Sequence, residues 1–297
     1  MVNISSNSIS LRFTVQEHML ISKTGYDEEC EDALYIGPHF VAVIDGATSK
    51  TERRWDGQTG GRIGAYTLRE TFDQIPYDAT ARQAVDILTS ALKKLYERYN
   101  VLDTVQANSV QRATASFVAV SLWRKEVWLV GDCQCMLNKE YISNTKIIDG
   151  IASDARAAFL EAEICTGKTV EELLHHDTGR AFILPLLERQ MVFQNNPSAD
   201  TYRFFVLDGF FVPDEGICVH ELPVDIETLV LASDGYPYLK GTLEESEQAL
   251  REVLLADPLL FRIYKSTKGM QDGNNSFDDR TYVRLKIEKD TTMASSE

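Results

Sequence analysis

The chain has 297 residues, 44% hydrophobic and 25% charged, the balance of an ordinary globular protein with enough apolar material for a sizeable core. Its 45 acidic residues outnumber 30 basic ones, for a net charge of -15. That excludes nucleic acid as the main partner, because binding a phosphate backbone needs a basic face.

The opening stretch MVNISSNSISLRFTVQEHMLISK lacks the long apolar core of a signal peptide. No stretch approaches the ~20 apolar residues of a membrane-spanning helix. A cytoplasmic protein without a membrane partner is therefore expected. Residues 11–22, 32–36 and 40–44 read as strands. GQTGGRIGAYTLRETFDQI then starts a helix after glycines, with Ile63, Tyr66, Thr67 and Leu68 near one face. ATARQAVDILTSALKKLYERY is a clearer helix, with Val85, Leu88, Leu92 and Leu95 at helical spacing. Residues 112–122 and 126–137 read as two long strands joined by the turn RKE, a hairpin. From Ala152 to Met191 the pattern is helical, with Pro185 placed to interrupt it. Strands are expected again at 202–208, 216–221 and 227–233, then a helix at 245–256, a last strand at 280–288, and a polar, frayed tail KDTTMASSE.

This is an α+β order, with helix pairs between runs of strands, not βαβ alternation. It predicts one domain over 1–297: a four-layer αββα sandwich of two antiparallel sheets flanked by helix pairs. The five cysteines are an odd number with no CxxC pair, which argues against a complete disulfide framework. Cys133 and Cys135 share one face of a strand without the further ligands that zinc needs. His175 and His176 point apart on a helix and read as surface residues.

One pattern stands out. The core strand FVAVIDG runs from Phe40 to Ile44 straight into Asp45 and Gly46. Asp-Gly is common turn punctuation, and it is also what a metal ligand at a strand end looks like. The pattern recurs. Glu31 and Asp32 open EDALYIG, Asp132 follows VWLVG, Asp234 follows ETLVLAS, and Asp278 and Asp279 precede the last strand. Acids gathered in an interior without cations would be prohibitively costly. If they converge, a divalent metal is the natural compensation, and oxygen-only ligands favour magnesium or manganese over zinc.

The ordered set EDALYIG, FVAVIDG, RATASFVAVSLWRKEVWLVGDCQCML, LVLASDG and DDRTYV resembles the metal-dependent protein phosphatases, the type-2C serine/threonine phosphatase family. The match runs from about Glu31 to Ile287. The resemblance implies a β-sandwich between helix pairs and two divalent cations, Mn2+ or Mg2+, with a weaker third site. It implies that Asp45 bridges the two metals, with the Gly46 carbonyl, Asp234 and Asp278 completing the first site. Thr281, three residues after Asp278, selects Asp278 over Asp279. Glu31 and Asp32 match acids that hold waters of the second metal, Asp132 matches a third-metal residue, and Thr114 matches a structural threonine. The implied activity is hydrolysis of a phosphoprotein or small phosphoester by a hydroxide shared between two metals ~3.5–4 Å apart.

The substrate side departs from the family. Asp27 stands where the family places a phosphate-binding arginine, and Ala47 where some members carry a histidine. GDSR appears as GDCQ, Tyr238 replaces an acid after SDG, and the helical block 151–196 does not resemble the family. Lys50, Arg53 and Arg54 in SKTERRWDG are candidates to meet the phosphate; the alternative is solvated loop charges. The competing function is a phosphatase-like binding or regulatory module with weak catalysis. VIDGAT is also similar to the DxDGT motif of haloacid-dehalogenase-like hydrolases, but the nucleophile position there is Val43 here.

Overall fold

A computed structural model of the protein describes residues 11–289, so the polar tail beyond lies outside the described residues. The strands are β1 (Leu11–Ile21), β2 (Asp32–Ile36), β3 (Phe40–Gly46), β4 (Ala115–Ser121), β5 (Glu126–Val130), β6 (Gln134–Leu137), β7 (Glu140–Ser143), β8 (Cys218–Glu221), β9 (Thr228–Ala232) and β10 (Arg280–Lys289). The helices are α1 (Gly60–Thr71), α2 (Ala81–Arg98), α3 (Leu102–Ala107), α4 (Ile147–Cys165), α5 (Val170–His175), α6 (Thr178–Arg189) and α7 (Leu243–Ala256).

The fold is α+β, with two five-stranded antiparallel sheets flanked by helices. One sheet has the order β2-β3-β4-β5-β8, the other β1-β10-β9-β6-β7. The main core lies between them. Val41, Val43, Val118, Val120 and Leu129 of the first sheet meet Leu229, Leu231, Val283 and Leu285 of the second. The alternate residues Phe40, Ala42 and Ile44 of β3 pack against Leu68, Leu88 and Leu92 of α1 and α2. β3 is thus buried on both faces, which is why its sequence is an unbroken apolar run. β1 is an edge strand, and its side chains alternate between half-buried and exposed.

α2 buries Val85, Leu88, Leu92 and Leu95 as its spacing predicts, behind a capping box of Thr80 and Gln83. α1 differs from expectation. Its buried face is Gly61, Gly64, Ala65 and Leu68, while Ile63, Tyr66 and Thr67 are only partly buried. Small residues let α1 approach the end of β3 closely.

Three further expectations are corrected. The strand read over 126–137 is two strands in different sheets. Gly131, at φ +90°, turns the chain out of β5, and a Cβ there would overlap the Ser116 hydroxyl. Residues 202–208 make only isolated bridges, Phe204 with Gln194 and Leu207 with Ala115. The 152–191 block is α4, α5 and α6, and Pro185 lies inside α6. The block folds on itself through Ala152, Ile183 and Leu187. It also packs on Leu259 and Phe261, in the loop before β10. Among the described residues no helix is long and apolar enough to cross a membrane.

Candidate active site

Five acids line one cavity of about 140 Å³; Asp149 is on α4, and the other four arrive from four separate segments: Asp45 on β3, Asp132 between β5 and β6, Asp234 after β9, and Asp278 before β10. Each of these four is placed by local structure. The Gly46 N–H donates to the Glu31 carbonyl at 3.1 Å, and a Cβ on Gly46 would overlap the Glu31 and Gly61 carbonyls. Asp132 sits on the sheet-to-sheet crossing that Gly131 makes, and accepts a 2.5 Å hydrogen bond from Ser116. The end of β9 is tied to the start of β10: the Ser233 N–H donates to the Thr281 carbonyl, and the Thr281 N–H to the Ser233 hydroxyl. That brings Asp234 and Asp278 to the same cavity.

The electrostatics divide these acids into two pairs. Burial, then the charges of Asp32, Asp132 and Asp278, push Asp45 well above the usual carboxylate range, against a hydrogen bond with Asp234. Burial and Asp45 do the same to Asp234. Asp45 and Asp234 are thus neighbouring acids whose surroundings disfavour both charges. Burial also opposes ionisation of Asp278 and Asp132, but lysines overcome it. Lys268 and Lys23 hold Asp278 below its ordinary value, and Lys146 holds Asp132 below its own. Lys146 reaches Asp132 at 2.6 Å, Lys23 reaches Asp278 at 3.6 Å, and Lys268 is in direct contact with Asp278.

Glu31 and Asp32 lie behind this cavity and do not line it. Glu31 accepts from the Thr59 hydroxyl at 2.6 Å and pairs with Lys23 at 3.4 Å. Asp32 stands opposite Asp45 across the β2–β3 ladder and accepts from the Thr281 hydroxyl at 2.8 Å. Burial and then Asp279 push Asp32 up to about 8, against hydrogen bonds from Ser233 and Thr281. Asp279 points away from the cavity and accepts from the Glu31 and Lys23 N–H groups.

On the basic side, Lys50 lines the cavity. Arg53 donates to Gln111 at 2.9 Å and stacks on Trp55, Arg54 is exposed, and neither lines it. Asp27 is exposed, and its carbonyl accepts from Arg62. Ala47 and Thr114 line the cavity. Sequence reasoning missed Lys23, Lys146, Arg180 and Lys268. Lys23, Lys146 and Arg180 stand near element ends and Lys268 lies in the loop before β10, with no spacing to mark any of them.

The donor chemistry suits a hard divalent cation: oxygen ligands only, and two half-buried acids, Asp45 and Asp234, that positive charge would relieve. Among the described residues no three acid, histidine or cysteine side chains already close on one point as metal ligands. Lysines meet Asp132 and Asp278 instead.

In motif order and sheet architecture the chain resembles the metal-dependent protein phosphatases. It is similar to the serine/threonine phosphatase PstP/Ppp of Mycobacterium tuberculosis, at 15% identity and TM-score 0.43 over 94% of this chain and 99% of that one. The catalytic domain of the serine threonine protein phosphatase PstP in complex with two manganese ions gives 16% and 0.45, over 94% and 99%. Stp1 from Staphylococcus aureus, a serine/threonine phosphatase, gives 16% and 0.41, over 94% and 95%. No family model matches the chain, and no curated protein does.

Proposed function

We propose that this chain is a divergent metal-dependent phosphatase, a phosphomonoester hydrolase acting on phosphoserine or phosphothreonine. The observation that carries the reading is the meeting of Asp45, Asp132, Asp234 and Asp278, from four segments, in one cavity that also holds cations. Asp45, Asp234, Asp278 and the Gly46 carbonyl would hold one Mn2+ or Mg2+. Asp45, with Glu31 and Asp32 behind it, would serve a second, and Asp132 a weaker third. When bound, such cations supply a lowered water pKa and neutralise charge on phosphoryl oxygens. The chain's own part is positional. Thr281 orients Asp32, Ser116 orients Asp132, and the lysines keep Asp132 and Asp278 ionised. Of the phosphate candidates, Lys50 is the one on the cavity wall.

The test is hydrolysis of an aryl phosphate and of phosphopeptides with added manganese or magnesium. The hydrolase reading expects turnover that a chelator abolishes. A second reading, a phosphatase-like binding module, is favoured by one observation: lysine ammonium groups already sit on Asp132 and Asp278. It expects metal or phosphopeptide binding without turnover at any metal concentration.

A further inference from the structure

Cations line the cavity beside its acids: Lys50, Lys146, Arg180 and Lys268. Lys146 and Lys268 are engaged by Asp132 and Asp278. Lys50 and Arg180 have no carboxylate partner among the described residues. The Lys50 ammonium has a single long hydrogen bond, 3.5 Å, to the Thr48 carbonyl. The Arg180 guanidinium donates to the Thr267 carbonyl at 2.9 Å. A third group points the same way. The Thr114 hydroxyl, in the lining of the same cavity and 4% exposed, has no hydrogen-bond partner. Burial, then the charges of Arg180 and Lys146, push Lys50 down to about 8; Lys268 adds to this and Asp149 opposes it. Carboxylate charges act on both, Asp149 on Lys50 and Asp278 on Arg180, but none closes into an ion pair with either, and cations held inside a cavity without a paired anion are unfavourable unless one joins them. Planar guanidinium and compact ammonium are the two side-chain groups suited to phosphoryl oxygens.

We propose that Lys50 and Arg180, with the Thr114 hydroxyl, form the phosphoryl-binding site of this chain, and that the helical block carrying Arg180 supplies the positive charge for which Asp27 leaves no arginine. The ligand class is a phosphoryl dianion, that of a phosphomonoester or of free phosphate. As a substrate site it rests on the hydrolase reading; as an anion site it stands without it.

The test is calorimetric titration of the full chain, in chelator, with inorganic phosphate and separately with O-phosphoserine. Lys50→Met and Arg180→Gln should each raise both dissociation constants by about tenfold, the effect of losing one charge-assisted contact. Arg180→Lys should recover part of the loss. Arg251→Gln, on the exposed side of α7, should change neither constant. Unchanged constants in both Lys50→Met and Arg180→Gln would overturn the site. Weakened phosphate binding with unaltered phosphoserine binding would assign it to free phosphate and overturn the ester site. If Arg180→Gln fails to fold, Lys50→Met decides alone, because it removes a charge the fold disfavours. Manganese-dependent hydrolysis with unchanged KM in the variants would sink this site and leave the hydrolase. Variants that bind phosphate weakly, beside a parent without turnover, would support this site and sink the hydrolase.

Discussion

Asp45 owes its chemistry to its place in the ladder. Its neighbours across the sheet are Asp32 on one side and Ser116 on the other, so an acid row crosses β2 and β3. Asp45→Asn would leave a neutral amide where the proposed metal site uses two anionic oxygens. Metal affinity, read by titration calorimetry, should fall by at least about 100-fold, since loss of groups that merely support a ligand already costs 10–100-fold. Asp132→Asn should be milder for activity. It should cost stability instead, because Lys146 would keep only Asp149, 3.9 Å away. Equal loss of metal affinity in both variants would contradict this ranking. Asp32 yields a pH prediction. Its folded pKa, about 8, lies above the ordinary 3.8, so the folded state binds the extra proton between those values. Stability in chelator should therefore fall as pH rises from about 4 to about 8. Asp32→Asn keeps an acceptor for Thr281 and removes the proton. Its melting temperature should depend less steeply on pH across that window, and an unchanged slope would refute the assignment. Asp45, Asp234 and Asp278 were legible as acids bounding apolar strands. The cations were not, because a single lysine or arginine leaves no periodic trace.

At the scale of elements, strands β1, β2, β3, β9 and β10 and helices α1, α2 and α7 follow from periodicity to within a few residues. The failures have physical causes. An apolar run on both sides of Gly131 reads as continuous strand, yet the glycine is where the chain changes sheets. The 202–208 run is apolar enough for a strand but is met only by isolated bridges. The helical block was recognised as helical, but not what anchors it. Arg156, on α4 and fully buried, pairs with Asp177 at 2.6 Å and donates to the Leu260 and Ser266 carbonyls. Asp177 in turn caps α6 by accepting from the Arg180 N–H at 2.7 Å. One buried arginine therefore joins α4, the start of α6 and the loop that carries Lys268. Arg156→Ala strands the Asp177 charge and four carbonyl and carboxylate bonds at once. It should cost about 3–5 kcal/mol, the usual penalty for breaking a buried pair from one side. Urea denaturation measures this directly, and a loss below about 1 kcal/mol would show that the block is held by its apolar contacts alone. Gly131→Ala should also destabilise, by about 1–3 kcal/mol from backbone strain, with further loss from the clash with Ser116.

At the scale of the molecule, the α+β class and the sandwich were legible because strand runs and helix pairs follow in blocks. The sheet orders were not. β1 pairs with β10 from Leu11↔Lys289 to Ile21↔Arg280, and no local pattern announces a partner at the far end of the chain. The same distance in sequence hid the cavity, whose acids and cations come from six stretches. Net charge bears on the proposed activity. At -15 the molecule repels an approaching phosphoryl dianion, while the cations that would receive it line one partly enclosed cavity. Attraction is local and repulsion is long-range, so the residues flanking a phosphoserine should matter. Peptides with lysine or arginine beside the phosphoserine should have a higher kcat/KM than peptides with glutamate there, by about tenfold or more at low salt. The preference should shrink as salt rises, because the screening length falls from about 30 Å at 0.01 M to about 8 Å at 0.15 M. The Lys50 and Arg180 contacts, made at hydrogen-bond distance inside the cavity, should lose far less over that range. Turnover measured for the two peptide sets across a salt series separates the effects. A preference that persists at high salt would mean specific contacts with the flanking residues, and one for acidic flanks would mean that the cations of the cavity, not net charge, govern approach.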